Sequence, residues 1–144
     1  MTRQELYGLL VCFLLAPRVF AFGTEHSALE TQITISDNKI EAIFVVTANP
    51  GLELTFDAPW TLEVSNTKNL DVIDKKDLIV KEFDRSISGM RFKANASQKA
   101  ESISFDYKVK AFVCTEDKTR CYPQTHKGSI VHPLKASKPD PSNP

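Results

Sequence analysis

The strongest structural signal in the sequence is the stretch SISFDYKVKAFVC, residues 102–114. Apolar or aromatic side chains occupy every second position in it. A strict period of two is typical of a β-strand with one buried face. We therefore predict a long strand whose core face carries Ile103, Phe105, Tyr107, Val109, Ala111 and Val113.

The opposite face of this strand is polar over most of its length and ends with Phe112 and Cys114. The alternation predicts that both side chains point away from the main core. A large apolar residue in that position would shield the cysteine or contact a partner. A β-bulge would instead reset the alternation and return Phe112 to the core, and both readings stay open.

The rest of the chain also has the pattern of short strands, with almost no helical period. Residues 29–36 and 39–48 predict a hairpin that turns at Asp37 and Asn38. A polar connecting loop is predicted over residues 66–77, and Trp60 is expected in the core. Further strands are predicted over residues 52–56, 60–64, 77–83, 87–94 and 121–131. Seven or eight such strands favour an all-β fold, an antiparallel immunoglobulin-like β-sandwich.

The first 23 residues have the pattern of a signal peptide, because Arg3 precedes a short apolar run over residues 6–16. An uncleaved anchor or a buried helix is the alternative. The run is too short to span a bilayer, so we expect a periplasmic or secreted protein with no membrane span after cleavage. Residues 24–135 then form the sandwich domain, and the proline-rich residues 136–144 form a disordered tail.

Signal cleavage removes Cys12 and leaves Cys114 and Cys121 as the cysteines of the mature chain. Exported proteins retain disulfides, and these two residues flank the tip of the predicted hairpin. The loop between them is short, so the bond should contribute only about 2.5 kcal/mol through chain entropy. A solvent-facing bond in this place suits thiol–disulfide exchange. A purely structural disulfide is the alternative reading.

Several other functions are disfavoured. Eighteen basic residues balance eighteen acidic ones, so nucleic acid is not an expected partner. Glycine-rich nucleotide motifs and zinc-protease motifs are missing from the sequence, and we predict no cofactor. His126 and His132 lie six positions apart, which matches no common zinc pattern, and we expect exposed histidines and no metal. Asp71, Asp74 and Asp77 indicate a solvated loop.

The segment YKVKAFVC, residues 107–114, followed by CYP at 121–123, resembles the active-site hairpin of the DsbD N-terminal domain family. These are periplasmic immunoglobulin-like domains of thiol:disulfide interchange proteins. The resemblance implies that Cys114 and Cys121 pass reducing equivalents from a membrane electron donor to envelope thiol proteins. We expect that donor to be a separate protein, and this chain to be one component of a protein-disulfide reductase system. The alternative is an exported immunoglobulin-like binding or assembly module with a structural disulfide.

Overall fold

The computed structural model describes residues 25–72 and 74–134 of the chain. The predicted signal peptide and the predicted tail lie outside these residues. The described part holds nine strands and one short 3-10 helix, Lys75–Leu78. The strands are β1 Ser27–Ser36, β2 Lys39–Ala48, β3 Leu52–Leu54, β4 Thr61–Lys68, β5 Leu70–Asp71, β6 Ile79–Val80, β7 Gly89–Ala96, β8 Ser102–Thr115 and β9 Cys121–Pro133.

The strands form two antiparallel sheets. The first sheet has the order β1-β2-β7-β5. In the second sheet β8 is the central strand, with β9 along one side and β3 and β4 pairing with different parts of its length. Strand β6 continues that sheet beyond β4. The all-β sandwich predicted from the sequence is confirmed.

The core lies between the sheets and is built from alternate residues of four strands, β2, β4, β7 and β8. The alternation predicted for β8 is confirmed, with Ile103, Phe105 and Val109 at 1% exposure or less. Tyr107 is only partly buried, and its ring lies 4.9 Å from that of Phe44. The buried cluster comprises Ile40, Ala42, Phe44, Val46, Trp60, Leu62, Val64, Met90, Phe92, Ala96, Ile103, Phe105, Val109 and Ala111.

The predicted first hairpin is also confirmed. Strands β1 and β2 pair without interruption from Ser27 opposite Ala48 to Ser36 opposite Lys39. Asp37 and Asn38 make the two-residue turn and have φ values of 49° and 63°. Two successive positive φ values define a type I′ turn, which matches the twist of the flanking strands.

The middle of the chain departs from the prediction. The expected loop over residues 66–77 instead carries the end of β4, all of β5 and most of the 3-10 helix. A register shift between Ser65 and Lys68 interrupts the pairing of β4 with β8, and Asn66 there has a φ of 50°. The strands predicted over 52–56 and 77–83 are shorter, since β3 ends at Leu54 and β6 covers only Ile79–Val80. Such short pairings depend on neighbouring strands and leave little periodicity to read.

Strand β9 is an edge strand, paired with β8 from Cys121 to Pro133. Its even-numbered residues face inward at the start of the strand, where Gln124 and His126 are buried.

Trp60 lies in the core, as predicted, and its indole N–H donates to the carbonyl oxygen of Thr55 at 2.7 Å. Within residues 25–72 and 74–134, no helix has the length and apolar character needed to cross a membrane.

Candidate functional site

The tip of the β8–β9 hairpin is an ordered turn. The backbone N–H of Thr115 donates to the carbonyl of Arg120 at 2.9 Å, and Lys118 N–H donates to the carbonyl of Thr115 at 2.8 Å. The Asp117 carboxylate accepts hydrogen bonds from the Thr115 hydroxyl and from the backbone and hydroxyl of Thr119. These bonds, that from Thr115 first, lower the pKa of Asp117. The turn therefore holds the ends of both strands together.

Cys114 and Cys121 are directly opposite each other in this hairpin and form a disulfide. Their Cα atoms are 4.0 Å apart. Because Thr115 and Arg120 form a hydrogen-bonded pair, the ladder makes the cysteines a non-hydrogen-bonded pair, in which side chains approach most closely. The ladder runs without a register shift, so the β-bulge considered from the sequence is not present between these strands.

The two cysteines differ in exposure. Cys121 is exposed, whereas Cys114 is only 3% exposed. The expectation that Cys114 faces solvent is therefore wrong. Cys114 lies on the central strand with Glu53 of β3 on one side and Cys121 on the other, while Cys121 begins an edge strand. The disulfide thus presents one accessible residue and one covered residue, and Cys114 is not part of the hydrophobic core cluster.

Phe112 has an intermediate position. It lies between the buried residues Ala111 and Val113, is itself partly buried, and packs against the core cluster. Its backbone carbonyl accepts a hydrogen bond from the N–H of Thr55 at 3.0 Å, which continues the pairing of β3 with β8. The side chain is therefore neither a free surface aromatic nor a fully buried core residue.

An aromatic patch lies beside the hairpin, in the segment that follows β3. Phe56 is 43% exposed, and its ring lies 4.6 Å from that of Phe83. The guanidinium of Arg85 lies over the Phe56 ring at 4.9 Å. This segment reaches the hairpin tip, where the Lys118 ammonium is 3.9 Å from the Asp57 carboxylate. This patch has no signature in the sequence, because its residues come from separate loops.

Comparison with known proteins adds no further assignment. No protein-family model, curated protein or solved structure matches the chain.

The first residue of β1 and the residue before it contact the start of β9. The backbone N–H of His26 and the hydroxyl of Ser27 donate to Oε1 of Gln124, at 3.1 and 3.2 Å. Nε2 of His126 is 2.9 Å from the Ser27 hydroxyl oxygen, and the ring of His26 lies 4.0 Å from that of Tyr122. We call the group Ser27, Gln124 and His126 the edge clasp, since it joins the edge strands of the two sheets.

The expectation that His126 is exposed is wrong, because its exposed fraction is only 6%. Burial lowers its pKa. His132, near the other end of β9, is partly buried. Neither side chain belongs to a group of three or more His, Cys, Asp or Glu residues that could hold a metal ion, as far as the described residues extend. His126 lies on the inward face of β9, two positions after the buried Gln124. The alternation along β9 was therefore the sequence feature that could have predicted its burial.

The acidic residues of the middle segment have local roles. Asp71 accepts a hydrogen bond from the hydroxyl of Ser97 at 3.0 Å. Asp74 caps the 3-10 helix by accepting from the backbone N–H of Lys76 at 3.0 Å. Both carboxylates and that of Asp77 belong to exposed residues. These hydrogen bonds give Asp71 and Asp74 structural roles that require no bound ligand.

Proposed function

We propose that this protein is an exported thiol–disulfide exchange module, which passes reducing equivalents through Cys114 and Cys121 in the periplasm or outside the cell. In this proposal a separate membrane protein reduces the pair, and the pair then reduces thiol proteins of the envelope. The resemblance to the DsbD N-terminal domains suggests these partners. The protein would then be the component of a protein-disulfide reductase system that connects the membrane donor to the thiol proteins of the envelope.

The observation that carries the proposal is the unequal exposure of the two cysteines. An exchange site needs one sulfur that a partner thiolate can reach and a second that can displace the partner. Cys121, on the edge strand, offers the first, and the covered Cys114 directly opposite offers the second. Neither cysteine belongs to the hydrophobic core cluster, so opening the bond removes no member of that cluster.

The reaction proceeds in two substitutions. The Cys121 thiolate attacks one sulfur of a client disulfide, which forms a mixed disulfide and releases the other client sulfur as a thiolate. The Cys114 thiol then loses its proton and attacks the Cys121 sulfur, which restores the intramolecular disulfide and releases the second client thiolate. Two electrons pass from the cysteine pair to the client, and the released thiolates take up protons. A donor dithiol reverses the sequence and reduces the pair again.

A second candidate function is an exported binding or assembly module whose disulfide is structural. The burial of Cys114 favours this alternative, since covered disulfides resist protein reductants. The two candidates differ in one measurable property, which is access of a protein thiol to the bond in the folded state.

The test is brief treatment of the oxidised protein with reduced thioredoxin, followed by alkylation and mass spectrometry. We expect both thiols to be labelled while circular dichroism keeps the spectrum of the oxidised protein. The reduction potential of the pair, measured in thiol buffers, should lie above about −300 mV. Labelling that appears only in denaturant, or a lower potential, would assign the bond a structural role.

Single-cysteine variants provide matched controls. Cys114→Ala leaves the exposed Cys121, and Cys121→Ala leaves the covered Cys114. The first variant should form a mixed disulfide with oxidised glutathione much faster than the second. Equal rates would show that the difference in exposure has no chemical consequence, and would remove the main support for the exchange mechanism.

A further inference from the structure

The edge clasp is the one place where buried polar side chains tie β1 to β9. Ser27, Gln124 and His126 are 4%, 3% and 6% exposed. On its other side, the segment before β1 is held by Asn49, whose backbone N–H donates to the carbonyl of His26 at 2.9 Å. The chain before β1 is therefore anchored both to Asn49, which follows β2 of its own sheet, and to β9 of the opposite sheet.

The hydrogen bonds of the clasp allow two proton arrangements. The Ser27 hydroxyl lies within hydrogen-bonding distance of Oε1 of Gln124 and of Nε2 of His126, and Oε1 also accepts from the backbone N–H of His26. If Ser27 donates to Gln124, its oxygen accepts from a protonated Nε2; if it donates to His126, Nε2 carries no proton. Both arrangements use a neutral imidazole. A second ring proton would put a positive charge into a buried group, and in the second arrangement it would also remove the acceptor of the Ser27 hydroxyl.

The surroundings of His126 offer little to stabilise that charge. The charged and titratable residues around it on the packed elements are Glu25 and His26 before β1, Tyr107 and Lys110 on β8, and Tyr122 and Lys127 on β9. Tyr107 and Tyr122 share the inward face of the sheet with His126. Alternation places both lysines on the outer face of the sheet, opposite to the His126 ring. Glu25 is exposed, and its backbone carbonyl accepts from the side chain of Asn49.

We propose that the edge clasp is an acid-sensitive latch, in which protonation of His126 releases the segment before β1 from β9 and increases access to the Cys114–Cys121 disulfide. As a regulation of that bond, this inference rests on the proposed function. The physical cause is that the charged imidazole gains more from solvation than the clasp gains from its hydrogen bonds.

The direction of the pH dependence follows from the lowered pKa of His126. A histidine that is free in the open state titrates near 6.5, above its value in the closed clasp. The open state therefore binds more protons as the pH falls below about 6.5, and its population rises. For one proton taken up on opening, the increase is at most about tenfold per pH unit.

The link to the disulfide is the start of β9. The ring of His26 stacks on Tyr122, which directly follows Cys121. When the clasp opens, this end of β9 loses its contacts with the opposite sheet and keeps only the ladder to β8. Fraying at strand ends is the mode of local opening that exposes a bond without global unfolding.

The experiment measures the reduction rate of the disulfide in the full-length oxidised protein by tris(2-carboxyethyl)phosphine, at several pH values between about 7.5 and 5.5. Each rate is divided by that of oxidised glutathione under the same conditions, which removes the pH dependence of the phosphine. We expect this ratio to rise at least about threefold toward acid pH, within the limit for one proton. A constant ratio would overturn the latch.

Three variants make the result specific. His126→Gln keeps a donor of similar reach but does not titrate, so the rate ratio should be independent of pH. His132→Gln, on the same strand but outside the clasp, should retain the rise. Ser27→Ala, which keeps the histidine, should give a high ratio already at neutral pH. A rise that persists in His126→Gln, or a normal neutral ratio in Ser27→Ala, would contradict the proposal.

The phosphine measurement separates this inference from the proposed function. A small phosphine reports access to the bond whether or not protein thiols use it. A rise in the ratio with no reduction by thioredoxin would support the latch and reject exchange. Reduction by thioredoxin with a constant ratio would support exchange and reject the latch.

Discussion

At the scale of single residues, the two cysteines show how strand position controls exposure. Both lie at the same level of one ladder, yet the central strand covers Cys114 and the edge strand exposes Cys121. Sequence alternation predicted that Cys114 points away from the core, whereas the structure buries it. The alternation could not predict the burial, because Cys114 pairs with Glu53 of β3, about sixty positions earlier in the chain. The burial of His126 was missed for a related reason, since its partner Ser27 lies 99 positions away.

Phe112 gives a prediction at this scale. We expect Phe112→Ala to lower the free energy of unfolding by about 1–2 kcal/mol, because the ring is partly buried against the core cluster. The matched variant Phe105→Ala removes a ring that is 1% exposed, and should cost about 3–5 kcal/mol. Urea unfolding followed by circular dichroism measures both. An equal cost at the two positions would make Phe112 an ordinary core residue.

At the scale of elements, the long strand and the two hairpins were predictable because their signals are local. A period of two over residues 102–114 and two adjacent turn residues at Asp37 and Asn38 need no distant partner to be recognised. Strands β5 and β6 have two residues each and exist only through pairing with β7 and β4. Two residues carry no period, so β5 was missed altogether, and β6 was found only within a longer predicted strand over residues 77–83.

The turn of the β8–β9 hairpin contains a conformational cost that can be removed. Lys118 has a φ of 56°, a left-handed conformation that costs a residue with a side chain about 1–2 kcal/mol. Glycine avoids this cost but loses more entropy on folding. We expect Lys118→Gly to raise the free energy of unfolding by about 0.5–1 kcal/mol, measured from urea unfolding.

Two further variants check the origin of that gain. Lys118→Ala removes the exposed pair with Asp57 but keeps the strained φ, so it should not stabilise the protein. Asn38→Gly changes a residue type that adopts this conformation readily, so its gain should be smaller than that of Lys118→Gly. A stabilising Lys118→Ala would show that charge, and not backbone conformation, is responsible.

At the scale of the whole molecule, the sandwich core and the disulfide involve different residues. The core cluster draws on both sheets and contains neither cysteine, although Cys114 is itself only 3% exposed. We expect folding to be coupled to pH through side chains outside that cluster. Among them are His126 in the edge clasp and Asp84, which accepts from Ser86 and Arg91.

The pH dependence of stability should accordingly have two steps. The hydrogen bond from Ser86, followed by that from Arg91, lowers the pKa of Asp84 to about 2. A carboxyl with a lowered pKa contributes stability above the pKa of the unfolded chain, near 4, and loses it as the pH falls toward the folded value. Asn66 and Thr115 act in the same direction on Asp106 and Asp117. The His126 contribution is lost earlier, below about pH 6.5.

We therefore expect the urea midpoint of the oxidised protein to be nearly constant above about pH 7, to fall once below about pH 6.5, and to fall again below about pH 4. His126→Gln should remove the first fall and leave the second. Asp84→Asn should reduce the second and leave the first, because the two side chains belong to different networks. A single acid transition that neither variant alters would mean that these groups do not couple protonation to folding.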